Sequence, residues 1–226
     1  MQAMLGVSRA TLRKAAAMVS QEQLIRVQRG HGGGYFAQRP RVDAVSHITA
    51  IYLQSRGTNL QEILVAIEPM VAEMGVLAAQ NRDPIAVQAL RDFQERDGLV
   101  EKGYREFLKS EREFSKILGA ACGNRVLELF VSTLHEFCGF VGPDQDLFWE
   151  RLDRVQEYWT RRRLWVWAII DGDVEMTALA GRRCARLGRK WMEEDRPGGG
   201  AIFPHLLSTE PSISAAASRY AIARTR

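Results

Sequence analysis

Residues 30–34 read GHGGG, and this cluster stands between two short runs, LIRV at 24–27 and YFA at 35–37. Glycine reaches positive φ without steric cost, so the cluster fits a tight reversal between two strands, 24–27 and 35–37. Upstream, Gly6-Val7-Ser8 reads as a turn ending in an N-cap residue. Leu12, Ala15, Ala16 and Val19 then recur at helical spacing, which predicts a helix from Ser8 to about Val19. Residues 1–5 read as the tail of an earlier helix, and 21–24 as a connector.

A turn, a short helix and a glycine-tipped hairpin form the second half of a winged helix-turn-helix. The outer face of the helix suits DNA. Arg9 and Arg13 stand i, i+4, with Ser8 and Thr11 as neutral donors beside them and Lys14 adding charge. Residues 1–43 hold seven basic side chains against two acidic ones, a net of +5, while the whole chain is only +4. A basic head on a near-neutral body implies nucleic acid at one end and a different partner at the other.

Beyond residue 44 the pattern is helical. A first turn or two is expected at 47–53. Leu60, Ile63, Leu64, Ile67, Val71 and Met74 form an apolar stripe over 60–79, with Pro69 as a local kink. Asp83-Pro84 starts another helix. Further helices are expected at 101–121, 126–138 and 147–170, and a last one from Asp173 to about Glu193. The Arg-Pro-Gly-Gly-Gly run then opens a tail, 195–226, expected to be disordered.

Several classes are set aside. No apolar run approaches a membrane span and no signal peptide opens the chain. Three cysteines without a CxxC favour a reduced, cytoplasmic protein. The GHGGG segment is neither a dinucleotide fingerprint nor a P-loop, and no GxSxG elbow accompanies it, so an enzyme is not expected.

LGVSRATLRKAAAMV followed by LIRVQRGHGGGYFA resembles the DNA-binding domain of GntR-type bacterial transcription regulators. LQEILVAIEPMVAEMGVLAA (60–79), EREFSKILGAACGN (111–124) and AIIDGD (168–173) resemble the effector-binding FCD domain of the FadR branch. The resemblance covers about residues 1–193. It implies a mainly α protein: a partial winged helix-turn-helix (1–38), a linker (39–44) and an all-α, FCD-like bundle for effector binding and dimerisation (45–194). Such regulators carry a helix and most of a second before LGVSR, where this sequence has only residues 1–4. A start codon assigned too late is the preferred explanation and truncation the other. The resemblance assigns DNA contacts to Ser8, Arg9, Thr11, Arg13 and Lys14, and to Gly30 and His31 at the wing tip; Lys14 replaces a usual glutamate.

Many FCD domains hold a divalent metal with an Asp-x-x-x-His pair and two later histidines. Carried over, these positions become Glu111, Ser115, Arg162 and Cys184, so neither a metal nor another cofactor is expected. An arginine that usually precedes the equivalent of Glu68 by four residues is Leu64 here. The pocket of Leu64, Glu68, Glu111, Ser115, Arg162 and Cys184 then suits a larger apolar effector with one anionic group, such as an acyl thioester. The alternative is a cavity filled by its own side chains. The whole reads as a homodimeric, ligand-responsive repressor acting on a double-stranded DNA operator. The competing reading is a helical dimerisation and ligand-sensing module whose head has lost DNA binding.

Overall fold

The computed structural model describes residues 2–40, 42–97, 104–138 and 146–197. The chain divides into two compact units, Met1–Ile51 and Tyr52–Arg226.

The first unit contains helices α1 (Gln2–Leu5) and α2 (Arg9–Gln21) and strands β1 (Ile25–Gln28) and β2 (Gly34–Ala37). Gly6 sits at φ +63°, which turns the chain between the helices, and Ser8 Oγ accepts the Thr11 amide at 3.2 Å to cap α2. The strands pair antiparallel, from Ile25 opposite Ala37 to Gln28 opposite Gly34. At the tip Gly30 and Gly32 take positive φ, and a Cβ on Gly33 would lie 2.4 Å from the Gln28 carbonyl oxygen. The cluster is therefore required by backbone geometry. Ala16 is the buried residue of α2, whereas Met4, Leu5, Met18 and Leu24 are exposed.

Helix α3 (Val42–Ser55) begins inside the stretch expected to be linker, and the division between the units falls within it. The second unit continues with α4 (Leu60–Asn81), α5 (Pro84–Asp97), α6 (Tyr104–Cys122), α7 (Arg125–Cys138), α8 (Leu152–Asp171) and α9 (Val174–Asp195). Helix α4 is opened by a capping box: Asn59 Oδ1 accepts the Glu62 amide at 3.0 Å, and Glu62 accepts the Asn59 amide at 2.7 Å. It continues through Pro69. Val65 and Pro69 are both exposed, so the carbonyl that loses its donor lies on the solvent side. Its opposite face, including Leu60, Ile63, Ile67, Val71 and Met74, is buried.

Helix α4 is central: it packs against α6, α7, α8 and most extensively α9. Trp165 of α8, 1% exposed, enters this junction where two helices lack side chains. A Cβ on Gly75 would come within 2.6 Å of its indole, and one on Gly181 within 2.9 Å. Asp173 caps α9 by accepting the Met176 amide at 2.9 Å, as its position in the sequence predicts.

The helix expected from 147 starts later, at Leu152. Asp146 Oδ1 accepts the Phe148 amide at 2.9 Å and Glu150 takes φ +56°, so a turn precedes the helix. Leu147 and Phe148 pack instead against Leu60, Leu187, Trp191 and Met192. The expected beginning of the helix at 101–103, the stretch 139–145 between two expected helices, and most of the tail lie outside the described residues.

Candidate effector site and nucleic-acid face

Arg162, one turn after Tyr158 on α8, is fully buried. A guanidinium cannot be deprotonated to escape burial, so it must be paired there. Its Nη2 donates to Asp97 Oδ2 at 2.5 Å and to Ser110 Oγ at 2.8 Å, and its Nη1 donates to Glu111 Oε1. The carboxylates are held in turn by other donors. Ser110 Oγ donates to Asp97 Oδ1 at 2.6 Å, Trp159 Nε1 to Asp97 Oδ2 at 2.7 Å, and Tyr158 OH to Glu111 Oε2 at 2.8 Å. Phe93 and Phe114 lie against the guanidinium at 5.2 and 5.7 Å.

Burial works against the Arg162 charge, but Glu111 and Asp97 outweigh it and hold its pKa above the usual value. Burial, reinforced by Glu111, pushes the Tyr158 hydroxyl and the Cys184 thiol well up, so both stay protonated. The result is a buried ionic cluster with an internal cation.

Of the residues singled out from sequence, the structure joins Glu111 and Arg162 directly and places Cys184 within their field. Ser115, one turn along α6 from Glu111, is half-buried. Leu64 and Glu68 contact α9. Leu64 packs with Leu147 and Trp191, and Glu68 accepts from Arg186 Nε at 2.7 Å and lies 3.4 Å from Arg189 Nη1. Glu111, Arg162 and Cys184 therefore lie together, apart from the contacts that Leu64 and Glu68 make with α9. Asp97, Ser110 and Trp159 were missed. The available signal was Arg162 itself: an arginine on an otherwise buried helix face demands carboxylates on its neighbours.

This donor set does not fit a divalent metal. Glu111 is committed to Arg162 and Tyr158, and the Arg162 guanidinium, which has no lone pair to offer a metal, repels any cation. Among the described residues there is no group of three or more His, Cys, Asp or Glu side chains able to hold a metal. His31, His47 and His135 have exposed side chains and lie at none of these positions.

In the head, Arg9, Arg13 and Lys14 are exposed on α2. Ser8 Oγ and Thr11 Oγ1 lie 2.9 Å apart and bond to each other, so both hydroxyls are engaged at the start of the helix. Gly30, at φ +100°, and exposed His31 form the wing tip; the Gly33 amide donates to the Gly30 carbonyl at 2.9 Å. Arg26 lies over the Phe36 ring at 4.9 Å.

The second unit is thus an all-α bundle with a polar cluster in its interior, and a partial wing precedes it in the chain. The FCD domain model matches residues 59–186, and the chain belongs to that family. The FCD domain is the C-terminal effector-binding domain of GntR-family regulators, a regulatory domain. No curated protein matches the chain. Among the described residues no helix is long and apolar enough to cross a membrane.

Proposed function

We propose that this protein is a ligand-responsive, DNA-binding transcription regulator of the FadR branch, acting as a homodimeric repressor in the cytoplasm. The observation that carries the reading is an FCD domain in the same chain as a Ser-capped helix with Arg9, Arg13 and Lys14 exposed, followed by a glycine-tipped hairpin. Two such helices, one from each protomer, would read the half-sites of a palindrome, with Gly30 and His31 near the backbone. An effector works by binding two states of the bundle unequally. Since Asp97 and Glu111 already answer the charge of Arg162, the effector is expected to be a larger apolar molecule with an anionic group that competes with these two carboxylates for the guanidinium. Metal is not required.

The test is binding of the protein, with an upstream-extended form alongside, to a labelled fragment of its own promoter at two salt concentrations. Salt-sensitive, saturable binding is expected. Arg9→Ala with Arg13→Ala should lower the log–log salt slope by roughly two per protomer, about four for the dimer, and weaken binding. Unchanged affinity in that double variant rejects α2 as the reading helix. A second reading, a sensing and dimerisation module with a head that does not bind DNA, is favoured by the exposed Met4, Leu5, Met18 and Leu24, which leave the head little core. Failure of both forms to bind would select it.

A further inference from the structure

Outside the bundle interior, α8 and α9 line an open surface groove of about 510 Å³, along which Arg161, Arg183, Arg186, Arg189 and Lys190 lie. The helical spacing of 183, 186 and 190 puts three cations on one face of α9, opposite Arg161 of α8. Glu157 and Glu193 line the groove, Glu68 faces Arg186 and Arg189, and Glu194 lies 3.9 Å from Lys190, so five cations meet four carboxylates, a formal excess of one. Arg161 and Arg183 have no ion pair or side-chain hydrogen bond among the described residues, and both are exposed.

Two of the other guanidinia are held in place. Glu68, 8% exposed beneath the groove, engages Arg186 through Nε and Arg189 through Nη1. Fixing Arg186 at Nε leaves both of its Nη groups without a partner among the described residues. A planar fork fixed at one edge with its other donors open is suited to bidentate capture of phosphate oxygens. Like-charge crowding of this kind costs stability unless an anion relieves it.

We propose that this groove binds a small molecule bearing linked phosphates, a diphosphate or an organic ester of one. A single carboxylate has too few oxygens to accept from Arg161, Arg183 and the open edge of Arg186 together, whereas a diphosphate has enough. The volume lies within the range of small-molecule sites and leaves room for an organic group beyond the phosphates. This site is separate from the Arg162 cluster, and its test does not depend on the head's binding DNA.

The experiment is calorimetric titration of the full chain with inorganic pyrophosphate and with inorganic phosphate, in low and high salt. A saturable pyrophosphate isotherm that weakens with salt is expected, with orthophosphate binding less tightly. Arg183→Glu should weaken pyrophosphate binding by on the order of tenfold or more. Arg125→Glu, which reverses an exposed cation on α7, should leave it unchanged. Absence of saturable pyrophosphate binding overturns the proposal, as does equal weakening by both variants, which would mean a response to net charge alone. A labelled DNA duplex is titrated in parallel; R183E-sensitive duplex binding without pyrophosphate binding would replace the proposal with a nucleic-acid surface.

Discussion

Replacing Arg162 by methionine tests the ionic cluster most directly. Methionine fills much of the same volume and removes the charge, so packing changes little and electrostatics change completely. What remains is unequal. Asp97 is about as buried as Arg162 and keeps the neutral donors Ser110 and Trp159. The Glu111 side chain retains 24% of its exposure and keeps Tyr158, so it can turn toward water. Breaking a buried ion pair by removing one partner costs about 3–5 kcal/mol, because the other charge stays desolvated. Most of that cost should sit on Asp97. Arg162→Met with Asp97→Asn is therefore expected to recover at least half of the loss, and Arg162→Met with Glu111→Gln much less. All five tryptophans lie in Tyr52–Arg226, so indole fluorescence in urea follows the unit that carries the cluster. With a denaturant slope of about 2–3 kcal/mol per molar, the single variant should lower the midpoint by roughly 1.5 M. A single variant as stable as the parent, or a double variant carrying Asp97→Asn that is no better than the single, would refute the account of Arg162 as a cation balanced by Asp97.

Gly75→Ala should destabilise by about 1–3 kcal/mol despite the better helix propensity of alanine, since Trp165 is too enclosed to yield; Gly181→Ala should cost less, and thermal unfolding would rank them. Burial raises the thiols of Cys122 and Cys184, so a disulfide reagent at mildly alkaline pH should leave both unmodified until denaturant is added; rapid native-state labelling of Cys184 would contradict its enclosure. Arg154 donates to both oxygens of Asp195 at 2.6 Å, and these bonds hold the Asp195 carboxyl below its ordinary pKa. A depressed folded-state pKa contributes stability that is present above the ordinary carboxylate range and is lost as the pH falls through the folded value. Asp195→Asn should therefore lower the melting temperature at neutral pH, with the gap to the parent closing in acid; a gap independent of pH would contradict the linkage.

Much of the fold was legible because local signals agree with global packing. Ser8 and Asp173 are side-chain caps that fix where α2 and α9 begin, and the spacing of Leu60, Ile63, Ile67, Val71 and Met74 marks the buried face of α4. The start of α8 was not legible, because Leu147, Phe148 and Trp149 continue an apolar pattern whose break comes from the Asp146 turn and the backbone at Glu150. The candidate site was legible in half. Position by position, Glu111 and Arg162 could be found, but their partner Asp97 comes from the end of a different helix, 65 residues away in the chain. The separation of Glu68 from Arg162 depends on which neighbour each helix face meets, and periodicity carries no such information. In the same way, the basic run RRCARLGRK reads as a solvated face until Glu68 is seen to hold two of its arginines.

The indole of Trp165 is flanked by two residues without side chains, one on α4 and one on α9, so the thickness of a single aromatic ring gauges the gap between these helices. Gly75, Trp165 and Gly181 are then a single unit of inheritance. A relative with alanine at either glycine position should carry a smaller residue where the tryptophan stands, and one that keeps the tryptophan should keep both glycines. Sensing motions in this bundle are also restricted in kind: α4 and α9 can pivot about the ring or slide along its face, but they cannot close on each other.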